Sequence, residues 1–205
     1  MNVVKINYPT MDAISYLLYW EEDQAILIDC VPHCYEKVDR ICKKLGKKVK
    51  YVLLTHGHID HVADAKKFQN SGAKVYIGRG DADKLYTDKN LAPMLGIRYI
   101  PMEADLVLKS CRYCFNRHYV DVTETPGHTA GGVCFFIEGV LFTGDTLFAG
   151  SVGRTDFEDG DSQKLINSIK RLIELYPGNT PVYPGHGHET TLEIEKKYNF
   201  ALVNL

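Results

Sequence analysis

Short apolar-rich runs open the chain: Val3–Tyr8, Ile14–Tyr19 and Ala25–Asp29, the last two separated by the polar run Glu21-Glu22-Asp23-Gln24. Runs of this length bounded by polar turns predict strands. The period then changes. Tyr35–Leu45 places apolar side chains at 38, 41, 42 and 45, ends in lysines and meets Gly46, which predicts an amphipathic helix with a glycine cap. Tyr51–Leu54 is continuously apolar, as expected of a strand buried on both faces. A helix over 60–70 and a strand at Val75–Ile77 follow. This β-α-β-α order predicts a partly parallel sheet.

The middle reads differently. Asp81–Leu85 suits a short helix, whereas Thr87–Tyr99 mixes proline, glycine and charge without a sustained period, as a covering loop would. Strands are expected again at 105–109, 118–124, 132–137 and 140–143. Leu108–Phe115 reads as a hairpin turn. Residues 161–175 carry Leu165, Ile169, Leu172 and Ile173 on one stripe, which predicts a helix. A strand at 180–183 and a helix near 189–198 complete the pattern. Periodicity thus gives a mixed α/β chain, expected to form a single domain over residues 1–205.

Composition narrows the function classes. A net charge of −2 disfavours a nucleic-acid partner. The Met-Asn-Val-Val-Lys start lacks the charged and apolar regions of a secretory signal, and no apolar stretch approaches the length of a membrane span. A cytoplasmic protein with no membrane or nucleic-acid partner is expected; oligomeric state is left open. The six cysteines are read as free structural thiols, because a disulfide framework suits short secreted chains. Cys111 and Cys114 form a C-x-x-C whose role stays open.

The chemistry concentrates at Thr55-His-Gly-His-Ile-Asp-His61, three imidazoles and a carboxylate within six positions. Borderline-soft divalent ions favour this mixture of nitrogen and oxygen donors. Three further candidates each follow a β-like run beside glycine: His128 in Thr-Pro-Gly-His-Thr, Asp145 in Thr-Gly-Asp-Thr and His186 in Tyr-Pro-Gly-His-Gly. Together they predict a binuclear metal site. His33 is read as a helix-start residue and His118 as a strand or turn residue; His188, two beyond His186, is left ambiguous.

These motifs, T-H-x-H-x-D-H, P-G-H-T, G-D-T-L-F and P-G-H-G in that order, resemble the metallo-β-lactamase superfamily. The stretch Gly144–Phe157 is similar to its glyoxalase II-like branch. The resemblance implies an α/β (α+β) fold, the four-layer αββα sandwich. It implies that His56, His58 and His128 hold one ion, that Asp60, His61 and His186 hold another, and that Asp145 bridges them. Two divalent ions are expected, zinc foremost, with iron or manganese as alternatives. The implied reaction is hydrolysis of a small thioester, of hydroxyacylglutathione type, by a hydroxide shared between the ions and oriented by Asp60.

Arg154 is the candidate for a substrate carboxylate; its alternative is a salt bridge to Asp156 or Glu158. Asp29 is the candidate for orienting a ligand histidine, or else a turn-initiating aspartate. Asp64 stands where the family usually has glycine, as a solvent-facing helix residue or a bias on the second ion. Full-length glyoxalase II enzymes carry a further helical domain and a tyrosine where Asp156 stands, which places tight glutathione binding in question. Two other functions compete: a mononuclear iron persulfide dioxygenase, and a non-enzymatic metal-binding domain.

Overall fold

The computed structural model describes residues 1–202. They form two compact units, residues 1–108 and, from Lys109 on, the remaining described residues.

The first unit holds a six-stranded sheet in sequential order, formed by β1 (Asn2–Tyr8), β2 (Ala13–Tyr19), β3 (Gln24–Ile28), β4 (Lys48–Leu54), β5 (Lys74–Gly78) and β6 (Leu106–Leu108). The first three strands pair antiparallel and the later ones parallel, as the alternation of elements requires. Helix α1 (Cys34–Leu45) ends on Gly46, whose φ of 65° is the left-handed cap read from the sequence. Val38, Cys42 and Phe68 pack with Leu27, Val52 and Ile77 in one buried cluster.

The helix expected over 60–70 is broken in two, α2 (Ile59–Val62) and α3 (Ala65–Asn70). The cause is Asp64. It is buried, its N–H bonds to the Cys30 carbonyl at 3.2 Å, and its carboxylate accepts the Tyr35 N–H at 2.9 Å. A residue tied to α1 and to the loop after β3 cannot also continue the helix, so the solvent-facing reading of Asp64 is wrong. The covering loop of 87–99 contains short helical turns, including α4 (Ala92–Leu95).

The second unit holds β7 (Cys111–Phe115), β8 (His118–Glu124), β9 (Val133–Ile137), β10 (Val140–Gly144), β13 (Pro181–Pro184) and β14 (Thr190–Thr191), ordered β14-β13-β10-β9-β8-β7. A small ribbon joins β11 (Leu147–Phe148) to β12 (Ser151–Val152). Helices α5 (Ser162–Leu175) and α6 (Leu192–Tyr198) follow, and Leu165, Ile169 and Leu172 of α5 are buried, as their stripe predicts. Leu165, Ile169 and Leu172 share a core cluster with Cys134, Leu141 and Val182.

Where the sequence suggested only a turn before Phe115, β7 pairs with β8 through a two-residue turn at Asn116 and Arg117, both with positive φ. That geometry suits Asn-Gly, so an arginine there hides the hairpin signal. Cys111 and Cys114 are exposed and three apart on β7, so they point to opposite faces and do not pair. The cysteines Cys30, Cys34, Cys42 and Cys134 are buried and free. Burial pushes the Cys42 and Cys134 thiols up to about 11, keeping them protonated at neutral pH.

Gly127 shows how tightly the helix α5 meets the turn before His128. Its φ is 143°, and a β-carbon there would overlap the Leu165 backbone. Gly127→Ala should therefore destabilise the protein by about 1–3 kcal/mol, read as a lower urea midpoint with unchanged slope.

Candidate metal centre

Strand direction explains how each unit gathers its donors. In the first unit β3 and β4 run parallel, so their carboxyl ends lie side by side. Asp29 leaves one and Thr55-His56 the other. In the second unit β8 and β10 are both antiparallel to β9, and β13 is parallel to β10. These three strands therefore point the same way, and the loops carrying His128, Asp145 and His186 all leave the same edge. The Gly185 N–H bonds to the Gly144 carbonyl at 2.8 Å, joining the last two loops.

In the first unit His56, His58, Asp60 and His61 are all buried. The ring of His56 lies edge-on to His58, centroids 4.8 Å apart, and 4.4 Å from His61. His61 Nε2 is 3.7 Å from Asp60 Oδ2. In the second unit one atom, Asp145 Oδ2, lies 3.5 Å from His128 Nε2 and 3.4 Å from His186 Nε2. These separations exceed ordinary hydrogen bonds. They match the roughly 3.4 Å between two donors that each sit about 2.0–2.1 Å from one tetrahedral ion.

The histidine tautomers can be worked out from their partners. His61 Nδ1 is 2.9 Å from Asp29 Oδ2, an acceptor, so the ring nitrogen donates. The Thr55 hydroxyl gives its proton to the same Asp29 oxygen at 2.8 Å. It has no proton left for His56 Nδ1, 3.1 Å away, so His56 donates to Thr55. His128 Nδ1 lies 2.7 Å from the Arg154 carbonyl and must donate as well. All three rings thus carry hydrogen on Nδ1 and present the Nε2 lone pair, the form an imidazole needs to bind a metal. The donor chemistry fits a divalent ion.

Asp29 also accepts the Thr55 N–H at 2.7 Å, so it ties the His61 ring to the end of β4. Its φ of 57° is strained for a non-glycine residue. The sequence suggested this aspartate as an orienting group; its hydrogen bond to His61 is that geometry.

Two further residues escaped the sequence reading. Asp81, fully buried, accepts the Gly57 N–H at 2.8 Å and so fixes the turn between His56 and His58. Lys84, also buried, packs on the same glycine: a β-carbon on Gly57 would come within 2.6 Å of the Lys84 Cβ. Neither follows a motif, because both approach the turn from a segment some 25 residues later. Gly153 is a third. A β-carbon there would overlap the Asp145 carbonyl, so only glycine lets the chain pass close enough for Arg154 to reach His128.

Arg154 itself takes its salt-bridge alternative. Its guanidinium donates twice to Asp156, both at 2.6 Å, and stacks 4.3 Å from the Phe157 ring centre. The hydrogen bond from Arg154 holds the Asp156 carboxyl down at about 2. His33 stands at the start of α1, and His118 begins β8 with Nδ1 3.3 Å from Glu138, at the helix-start and strand positions expected. His188 is exposed and belongs to no donor group among the described residues.

Residues 9–192 match the profile of the Metallo-beta-lactamase superfamily, and the chain belongs to that superfamily. Hydroxyacylglutathione hydrolase GloC of Haemophilus influenzae is 32% identical, covering 97% of both chains. The mouse mitochondrial persulfide dioxygenase ETHE1 is 27% identical over 93% of this chain and 72% of its own. Among solved structures, the B3 metallo-beta-lactamase BLEG-1 superposes with a TM-score of 0.92 at 29% identity, covering 98% of this chain and 100% of the other. TTHA1623, solved in a di-iron-bound form, gives 0.86 at 32% identity, covering 97% and 99%. The mixed α/β fold expected from the sequence is therefore the fold found.

Because Asp29 fixes the His61 ring, Asp29→Asn should weaken zinc binding about 10–100-fold, measured by competition against a chromophoric chelator. Equal affinity in the two proteins would remove Asp29 from the metal-orienting role.

Proposed function

We propose that this protein is a dimetal hydrolase that cleaves a small thioester of the hydroxyacylglutathione type. The observation that carries the reading is the end-to-end kinship with a hydroxyacylglutathione hydrolase. In this reading, which follows from the order of the motifs, His56, His58 and His128 hold one ion and Asp60, His61 and His186 the other. Asp145 is shared, a role supported by the near-equal distances from one carboxylate oxygen to His128 and His186. Zinc is the first expectation; the di-iron relative keeps iron in view. We place the enzyme in the cytoplasm, acting on a small molecule without nucleic acid or membrane. No helix among the described residues is long and apolar enough to cross a membrane.

When bound, the ions supply Lewis acidity and lower the pKa of water to near neutrality. The chain's own residues then divide the work. Asp60 accepts a hydrogen bond from the attacking water and fixes its direction. Asp29 and Thr55 keep His61 and His56 in one tautomer, and the Arg154 carbonyl does so for His128. The Arg154 guanidinium takes a substrate carboxylate in exchange for Asp156. That exchange is cheap, because the pair is exposed and surface ion pairs contribute little.

The mouse relative supports a second reading, iron-dependent oxidation of a persulfide. Measuring oxygen uptake and thioester turnover on one sample of known metal content separates the two. Oxygen uptake without thioester hydrolysis would sink the first.

Two metals per chain are expected by elemental analysis after incubation with excess zinc, iron or manganese. Asp145→Ala should lose more metal than any single histidine variant and about 10³-fold or more in turnover. Two retained metals with near-normal rates would refute the bridge.

Arg154→Ala should leave metal content unchanged and cost an acidic thioester about 10–100-fold in kcat/KM, sparing a neutral one. Asp156→Asn, which releases the guanidinium, should act in the opposite sense. An acidic-to-neutral ratio unmoved by either change would leave Arg154 a surface ion-pair partner.

A further inference from the structure

The first unit contains a cavity of about 430 Å³ that the metal ligands do not line. This is the size class of small-molecule sites. Tyr8, His33, Lys66, Arg98, Tyr99 and Ile100 contribute to its wall.

Its charge is one-sided. Lys66, Lys67 and Arg98 face a single carboxylate, Asp64. That carboxylate is already committed to the Tyr35 N–H at 2.9 Å and to Lys67 at 3.1 Å. Lys67 pairs again with Glu36 at 3.2 Å. Among the described residues Lys66 has only a neutral partner, the Gln69 amide oxygen at 2.9 Å. Arg98 has no hydrogen bond or ion pair among the described residues. Two cations therefore remain uncompensated at one cavity, on a chain whose net charge is −2.

The rest of the wall is apolar and anchored. The Tyr99 hydroxyl donates to the Thr87 carbonyl at 3.1 Å, and the Ile97 N–H bonds to the Ala92 carbonyl at 3.2 Å. Ile97 and Tyr99 pack on the core, which leaves Arg98 and Ile100 between and beyond them exposed. On the other side His33 adopts φ 62°, a costly conformation for a non-glycine residue. Its side chain makes no capping hydrogen bond to α1; the ring instead lies 6.1 Å from Tyr8.

We propose that this cavity binds a small organic anion with an apolar body, its charged group taken by Lys66 and Arg98 and its body lying against Tyr8, Pro32 and Ile97. The site does not depend on the thioester reading, since none of these side chains is a proposed metal ligand.

The test uses the full zinc-loaded chain and amide-resolved NMR titrations with benzoate, phenyl phosphate and the neutral benzyl alcohol. At least one anion should shift the amides of Lys66, Ile97 and Arg98 saturably, with the alcohol much weaker; which anion does so tells carboxylate from phosphate ligands. The double variant Lys66→Ala/Arg98→Ala should weaken that binding about tenfold or more. Arg98 is exposed and Lys66 half-buried, and an unchanged thermal midpoint will establish that the fold is kept. The proposal is overturned if neither anion shifts these amides, or if shifts are confined to residues 56–61. It is equally overturned if benzyl alcohol binds as well, or if the double variant binds like the parent.

Discussion

Asp29 sits at the end of β3 with one oxygen on the Thr55 N–H and the other shared by the Thr55 hydroxyl and His61. A carboxylate this deeply buried is tolerable only when donors surround it. The carboxylate is in turn the acceptor that the Nδ1 hydrogen of His61 needs. By taking the hydroxyl proton of Thr55, Asp29 also decides which nitrogen of His56 carries hydrogen. One side chain thus sets two rings, and parallel pairing of β3 and β4 brings it within reach. Its strained φ is the local cost of turning the carboxylate back toward β4.

The second unit reaches a similar result with neutral groups. His128 is oriented by a backbone carbonyl, and that carbonyl comes close only because Gly153 has no side chain. The two solutions differ in electrostatics. A carboxylate behind a ligand histidine raises its basicity more than a carbonyl does. On the proposed assignment His61 is therefore the stronger metal donor, and the orientation of His128 depends on backbone placement.

Much of this was legible in the sequence because it is local. His56, His58, Asp60 and His61 declare themselves by spacing, and the α5 stripe and the Gly46 cap follow from period and position. What stayed hidden depends on contacts between distant segments. Asp64 reads as a helix residue until Tyr35 and Cys30 claim its carboxylate and N–H. Asp81 and Lys84 belong to no motif, yet both are buried against the turn at Gly57. The β7 strand was missed for another reason. It lies at a sheet edge with Cys111, Arg112 and Cys114 exposed, so no apolar alternation marks it.

The division of donors between the units adds a dimension of time. On the proposed assignment, four donors lie within the first 61 residues, and the last, His186, follows 125 residues later. At a synthesis rate of about 5–20 residues per second, roughly 6–25 seconds separate them on the ribosome. During that interval the emerging chain offers an incomplete set of donors, at first three imidazoles and one carboxylate, to whatever ions the cell supplies. Such a partial set ranks metals by intrinsic affinity, because the geometry that would discriminate among them has not yet formed. The order in which the donors are made is thus a variable in which metal the finished protein carries.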